Sequence, residues 1–284
     1  MTEFLGNTLE KGARSKDDIG AFLTAAPPES TLFLRDAFEN YDGSETWWFG
    51  VRPAQGGPLE ALSCVQGTFT SLYAGSNEAA TALGTHLARV SRGSRDGKEH
   101  HVLGPKKLVD RFYQAFQIVG RDVVHDREQV LLGAADPSPL ASPRITAAVA
   151  TSADEAVLYE FLGEQSVEQF GRDPRRLSKE GHRKFCQALT EAGRAVVGRQ
   201  GPSPLLVAEF VPLCGATLIE RLFFPKPFRR AKLMGRGLGA VLGVALQKTP
   251  EVLFFADSHR AYQREVADLC GFTERETYRL LVLR

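Results

Sequence analysis

Gly235-Arg236-Gly237-Leu238-Gly239 stands directly before an apolar helical run, Ala240 to Leu246, and after an extended apolar segment. Three glycines in five residues let a backbone approach an anion closely and turn successive N–H groups toward it. A helix that starts there adds its unpaired N–H groups and the positive end of its dipole. The stretch therefore reads as a phosphate cradle that suits a pyrophosphate, with the N–H groups of Arg236, Gly237, Leu238, Gly239 and Ala240 as donors. Lys226, Arg229, Arg230, Lys232 and Arg236 crowd the approach to it, a clustering that suits phosphate groups. The alternative is a tight strand-to-helix turn that merely packs closely, since a glycine-rich pentapeptide alone is a weak signal.

Around this stretch the chain has 284 residues and 43% hydrophobic content. That is enough to bury a sizeable core in two domains of about 100 to 150 residues each. Thirty-five basic residues against thirty-four acidic ones leave a formal net charge of +1, so no global field argues for nucleic acid or an anionic membrane as partner. Met1 to Asp18 is polar and mixed in charge, and no segment approaches the ~20 apolar residues of a membrane span; a soluble, cytoplasmic protein is expected. Cys64, Cys186, Cys214 and Cys270 are scattered, with no CxxC and no histidine at ligand spacing. This argues against both a disulfide framework and a metal site.

The proline-rich segment Asp136-Pro137-Ser138-Pro139-Leu140-Ala141-Ser142-Pro143 denies helix and ladder hydrogen bonding. It divides the chain into a first domain, 1–136, a linker, 137–143, and a second domain, 144–284. Periodicity in the first predicts two helices, strands near 47–51 and within 59–73, a helix over 78–90, a strand near 100–103, a helix over 105–118 and a strand near 129–133. In the second, a strand at 144–150 precedes Ser152-Ala153-Asp154-Glu155, a capping-box pattern that announces a helix. A second helix, strands at 195–198, 205–210 and 216–224, the glycine stretch with its helix, a strand at 251–256, a helix over 259–270 and a last strand follow. Both halves close with the order strands, helix, strand, helix, strand, which suggests a structural duplication.

These residues resemble the GNAT acyltransferase superfamily, whose signature is a Gln/Arg-x-x-Gly-x-Gly/Ala loop after the fourth strand. Gly237 and Gly239 fill its two small positions, and Leu269-Cys270-Gly271-Phe272 with the last strand looks like the family's closing unit. Phe170-Gly171-Arg172-Asp173-Pro174 looks like the loop between the first two helices of tandem GNAT proteins. The resemblance implies an α/β (α+β) fold, a mixed and mainly antiparallel sheet flanked by helices, in two tandem copies. It further implies acetyl-CoA or another acyl-CoA as cofactor, an acyl group passed to an amine by direct attack, and a small-molecule or protein amine as acceptor. The pantetheine arm would pair with the backbone of Leu222, Phe223 and Phe224, and the phosphates with Arg236, Gly237, Leu238, Gly239, Ala240 and Arg230. The first half offers only Gly75-Ser76-Asn77-Glu78 at the corresponding place and is expected to be a degenerate copy. A homodimer is left open.

The resemblance also implies a carboxylate on or near the fourth strand as base, for which Glu220 is the first candidate and Glu209 the second. An ordinary Glu220-Arg221 strand-edge pair is the alternative. The family's usual acid, a tyrosine four residues before the closing glycine, falls on Ala267 here. Tyr262 lies five residues earlier on the same helix, a rotation of about 140°, so it does not simply replace that phenol. His259 is a candidate contributor, and Met234 stands where the family has Gln or Arg. These departures keep three alternatives open: a pseudoenzyme that binds acyl-CoA or a protein partner, a transferase of longer acyl chains from CoA or a carrier protein, and a structural protein that keeps only the fold.

Overall fold

A computed structural model describes residues 2–6, 13–40, 46–91, 99–117, 122–140, 142–258 and 261–284. The first elements are β1 (Thr2–Gly6), α1 (Ala13–Ala25), α2 (Leu32–Glu39), β2 (Thr46–Val51), β3 (Ala61–Gln66), β4 (Phe69–Ala74), α3 (Asn77–Ser91), β5 (His100–Pro105), α4 (Lys106–Phe116) and β6 (Val123–Ala134). Then come β7 (Ile145–Val149), α5 (Glu155–Phe170), the single turn α6 (Pro174–Leu177), α7 (Lys179–Glu191), β8 (Ala195–Gln200), β9 (Ser203–Leu213), β10 (Ala216–Phe223), α8 (Ala231–Leu246), β11 (Val252–Asp257), α9 (Ala261–Leu269) and β12 (Thr273–Leu283). The expected duplication of order holds: β2-β3-β4-α3-β5-α4-β6 repeats as β8-β9-β10-α8-β11-α9-β12. Among the described residues no helix is long and apolar enough to cross a membrane.

The chain divides into two compact units, 1–130 with 275–284, and 131–274. The divisions fall inside β6 and β12 and not at the proline-rich segment 137–143. Prolines deny ladder bonding but not packing: Ser138 is buried, Leu140 N–H donates to Ser138 Oγ at 3.1 Å, and Leu140 packs where Gly235 has no Cβ. The segment is thus folded into the second unit. The last strand leaves that unit instead, because its residues from Tyr278 to Leu283 pair antiparallel with β5, Tyr278 opposite Pro105 and Leu283 opposite His100.

In the first unit the strands run in the order β1-β2-β3-β4-β5-β12. The pairs are antiparallel except β4 with β5, which is parallel. Helices α3 and α4 cover one core, with Leu83, Val109 and Phe112 against Leu72, Val102 and Leu281. Trp48 is buried with Ile19 and Leu34 of α1 and α2, whereas its neighbour Trp47 is exposed, as strand alternation requires. Ser76 Oγ accepts from Ala79 N–H at 3.1 Å and caps α3. Arg279 of β12 is clamped by Asp110 at 2.7 Å and Asp126 at 2.7 Å.

In the second unit the order is β6-β11-β10-β9-β8-β7, with β10 and β11 parallel and β7 to β10 antiparallel. Leu158 and Leu162 of α5 and Cys186 and Leu189 of α7 pack with Val197, Val207 and Phe223. Helix α8 lies on the opposite face, where Gly237 approaches Leu206 and Phe224. Leu206 and Val207 are sequence neighbours on one strand, so they point to opposite faces. The cap of the α5 segment sits one residue before the expected pattern. Thr151 N–H donates to Asp154 Oδ2 at 2.8 Å, and Arg199 also holds that carboxylate. At its other end α5 stops at Gly171, whose φ of 67° suits a residue without a Cβ.

Candidate functional site

β10 and β11 stay together for only three residue pairs, Thr217–Val252, Leu218–Leu253 and Ile219–Phe254. Past Ile219 the edge of β10 that faces β11 has no ladder partner among the described residues. The parting coincides with a bulge against β9: Ile219 sits opposite Phe210 and Arg221 opposite Glu209, so Glu220 is the extra residue. Such a bulge bends a strand and re-aims its edge.

A narrow slot, with about 20 Å³ of free space, opens at this parting. Leu222 and Phe223 line it from β10 and Phe224 from just past its end, Phe254 from β11, Met234 and Leu238 from α8, Tyr262, Gln263 and Val266 from α9, and Gln165, Glu168 and Gln169 from α5. Residues of α8 and of α5, which lie on opposite faces of the sheet, both line it. Arg229 closes one side: its Nε donates to Phe224 O at 2.8 Å, Nη2 pairs with Glu168 at 2.6 Å, and the guanidinium lies over the Phe223 ring.

The glycine stretch is placed differently from the sequence reading. Helix α8 begins at Ala231, not at Ala240, and Arg230 O accepts from both Leu233 N–H and Met234 N–H. Ala231-Lys232-Leu233-Met234 is a run of strong helix formers, and it starts the helix one turn ahead of the glycines. The N–H groups of Arg236 to Ala240 are therefore spent on the helix's own i→i−4 ladder. The glycines serve packing. A Cβ on Gly237 would lie 2.6 Å from Leu206 Cδ2 and 2.8 Å from Phe224 Cε1, and one on Gly235 2.8 Å from Leu140 Cδ1. Gly235, Gly237, Leu238 and Gly239 are buried, Ala240 is half-buried, and Arg230, Lys232 and Arg236 are exposed. The orphan donors at the helix head are the N–H groups of Ala231 and Lys232.

An acyl-CoA suits these residues in part. A free strand edge answers the amides of a pantetheine arm, the slot is apolar and thin, and the head of α8 joins two orphan N–H groups to exposed Arg230 and Lys232. The five-amide cradle of the sequence reading is absent.

Glu220 is exposed at the bulge, 3.8 Å from Arg194, and outside the slot lining. Glu209 is buried on the α5/α7 face. Its Oε1 accepts from Arg194 at 2.6 Å, and Oε2 lies 3.1 Å from Arg221 Nη1. Burial outweighs the two arginines and holds the Glu209 carboxyl above the usual range, with Glu220 adding to the rise. His259 and Arg260 lie outside the described residues. Ala267 is fully buried, and its helix neighbours Tyr262, Gln263 and Val266 line the slot. Gln263 Oε1 accepts from Asp257 N–H at 3.0 Å and ties α9 to the end of β11. Burial pushes the thiols up, Cys64 to about 12 and Cys186 to about 11. Cys270 is also raised by burial, and its Sγ donates to Gly235 O at 3.1 Å. Among the described residues no cluster of three His, Cys, Asp or Glu side chains is arranged to hold a metal.

No protein-family model and no curated protein matches the sequence. Solved structures do match over the whole chain. An acetyltransferase of the GNAT family from Colwellia psychrerythraea is 11% identical, with 100% of both chains covered and a TM-score of 0.56. A GCN5-related N-acetyltransferase from Sphaerobacter thermophilus is 18% identical over 99% of this chain and 94% of its own, TM-score 0.59. A tandem GNAT protein from the clavulanic acid biosynthesis pathway is 12% identical over 99% and 98%, TM-score 0.54. With the repeated element order and the parted β10 and β11, these likenesses identify the fold of this chain as the GNAT fold in its tandem form.

Proposed function

We propose that the second unit is an acyl-CoA-dependent N-acyltransferase of the cytoplasm, acetyl being the first acyl group to test, and that the first unit is a degenerate copy. The observation that carries this reading is the parting of β10 and β11 after Ile219, with the slot that residues of both faces line there. It gives an arm entering from the α8 face a route to an acceptor on the α5 face. When bound, the thioester supplies an electrophilic carbonyl and a leaving thiolate.

The chain's own residues do the rest. The backbone of Leu222, Phe223 and Phe224 pairs with the arm's amides, and the walls of Leu238, Phe254 and Val266 exclude water from it. Arg230, Lys232 and Arg236, with the N–H groups of Ala231 and Lys232, receive the phosphates; Gly237, Gly239 and Ala240 let α8 sit close enough to shape the slot. Glu220, exposed at the bulge, accepts the ammonium proton through water. Tyr262 is the proton donor at the departing sulfur, the phenol that the position of Ala267 lacks. Positioning and carbonyl polarisation supply most of the acceleration.

Calorimetric titration of acetyl-CoA, followed by thiol release in the presence of an amine panel, tests this. Binding that is weakened by Lys232→Glu, together with amine-dependent thiol release, is expected; absence of binding to acetyl-CoA and longer acyl-CoAs would refute it. A second reading, an acyl-CoA-responsive module without turnover, draws on buried Met234 in the slot wall and on the helical ladder that occupies the amides of 236–240. Binding without thiol release would select it.

A further inference from the structure

On the α5/α7 face of the second unit a groove of about 400 Å³ is lined by Leu162, Leu177, Phe185, His182, Gln165 and Arg221. Gln165 and Gln169 line both this groove and the slot, so the two are neighbours. Gln165, 4% exposed, lies where the two linings share residues. Its amide offers both donors and an acceptor to a polar group of a ligand.

The charge of the groove is one-sided. Its lining carries Arg221 and His182 and, among the described residues, no carboxylate. Of the acidic groups nearby, Glu168 pairs with Arg229 at 2.6 Å, Asp173 with Arg175 at 2.9 Å, and Glu209 with Arg194 and Arg221, while Glu164 and Glu180 stand outside the lining. Arg221 is held from two sides, by Glu209 Oε2 at 3.1 Å from its Nη1 and by the Phe185 ring at 4.9 Å from its Cζ. A guanidinium fixed in this way presents its remaining donors in the planar fork that matches a carboxylate. His182 donates from Nε2 to Tyr159 O at 2.8 Å and stacks near Phe185. Leu162, Pro174, Leu177 and Phe185 give the groove apolar walls, set among uncharged polar side chains.

We infer that the acceptor groove takes a primary amine that carries a carboxylate on an apolar body, with Arg221 as the residue that binds the carboxylate. The inference rests on the acyl-transfer reading for the name "acceptor", but the binding itself is independent of it. A polycationic amine would leave a second ammonium desolvated with no carboxylate to pair it. The positive charge of Arg221 also favours the neutral form of a nearby amine, which is the form that attacks a thioester. Glu209 is a positioning residue here: it touches Arg221, not the ligand.

The experiment is direct binding of L-phenylalanine and L-leucine, of their carboxamides, and of spermidine, by saturation-transfer NMR on the full chain, with and without CoA. Acetyl-CoA is titrated separately. The amino acids are expected to bind, the amides roughly tenfold to a hundredfold more weakly, as for loss of a charge-assisted contact, and spermidine not at all. In Arg221→Gln the difference between acid and amide should vanish, and the double variant Arg221→Gln/Glu209→Gln should behave alike without leaving a buried carboxylate behind. The ligand series in the wild type decides the question even where a variant fails to fold. Equal binding of acids and amides, a preference for spermidine, or no amine binding overturns the inference. Amino-acid binding without acetyl-CoA binding keeps it and overturns acyl transfer instead.

Discussion

Replacing Gly237 by alanine separates two accounts of the same residue. Within α8 an alanine is favoured over glycine by about 1 kcal/mol. At Gly243, where a Cβ meets nothing within 4 Å, that gain should appear whole: Gly243→Ala stabilises by ~1 kcal/mol, or roughly 2–4 °C in the midpoint of a chain of this size. At Gly237 the same gain is opposed by overlap with Leu206 Cδ2 at 2.6 Å and Phe224 Cε1 at 2.8 Å. Leu206 is fully buried and Phe224 nearly so, so neither side chain has space to swing into, and overpacking of this kind costs about 1–3 kcal/mol. The net expectation for Gly237→Ala is a loss of about 0–2 kcal/mol, opposite in sign to Gly243→Ala. Urea unfolding of both variants and the wild type, followed by far-UV circular dichroism, reads the two shifts. If Gly237→Ala stabilised as much as Gly243→Ala while abolishing acetyl-CoA binding, the glycine would be there for a phosphate, and the packing account of α8 would be wrong.

Arg230→Glu and Lys232→Glu reverse exposed charges at the head of α8, where an acidic residue suits the helix dipole, so the fold should persist. Acetyl-CoA affinity should fall roughly tenfold for each at low salt and less at high ionic strength, as titration calorimetry would show. Tyr262→Phe should lower kcat by about 10² or more with little change in KM, read by thiol release under steady-state conditions. Asp154 is subject to a desolvation that would raise its pKa, but hydrogen bonds from Thr151 and Arg199 bring it below the ordinary carboxylate value. Its contribution, about 1–2 kcal/mol as a cap, is present above that ordinary value and is lost as pH falls through the lower folded value. Unfolding of wild type and Asp154→Asn between pH 2 and 7 should therefore converge at the acid end.

The duplicated element order was legible because hydrophobic periodicity and turn residues are local, and each half carries its own set. The division of the chain was not. Nothing within Thr273–Leu283 says that its pairing partner is β5, because a strand's partner depends on contacts far away in sequence. The proline-rich segment misled for a related reason: it lacks ladder donors, yet Ser138 and Leu140 still bury themselves. In the site, Leu222, Phe223 and Phe224 came from the resemblance and do line one slot. The glycines were read as the end of a loop because glycine weakens helices, and the four helix formers ahead of them were given too little weight. That Tyr262 lines the slot depends on how α9 packs on the sheet, which is a tertiary fact.

The most direct test of the account is amide hydrogen exchange on the full chain with and without saturating acetyl-CoA. The account predicts added protection at Leu222, Phe223 and Phe224 and at Ala231 and Lys232, with the amides of Arg236 to Ala240 already slow in the free protein because they belong to the helical ladder of α8. Saturable binding that leaves 222–224 unchanged, or fast exchange at 236–240 that slows only with ligand, would contradict it.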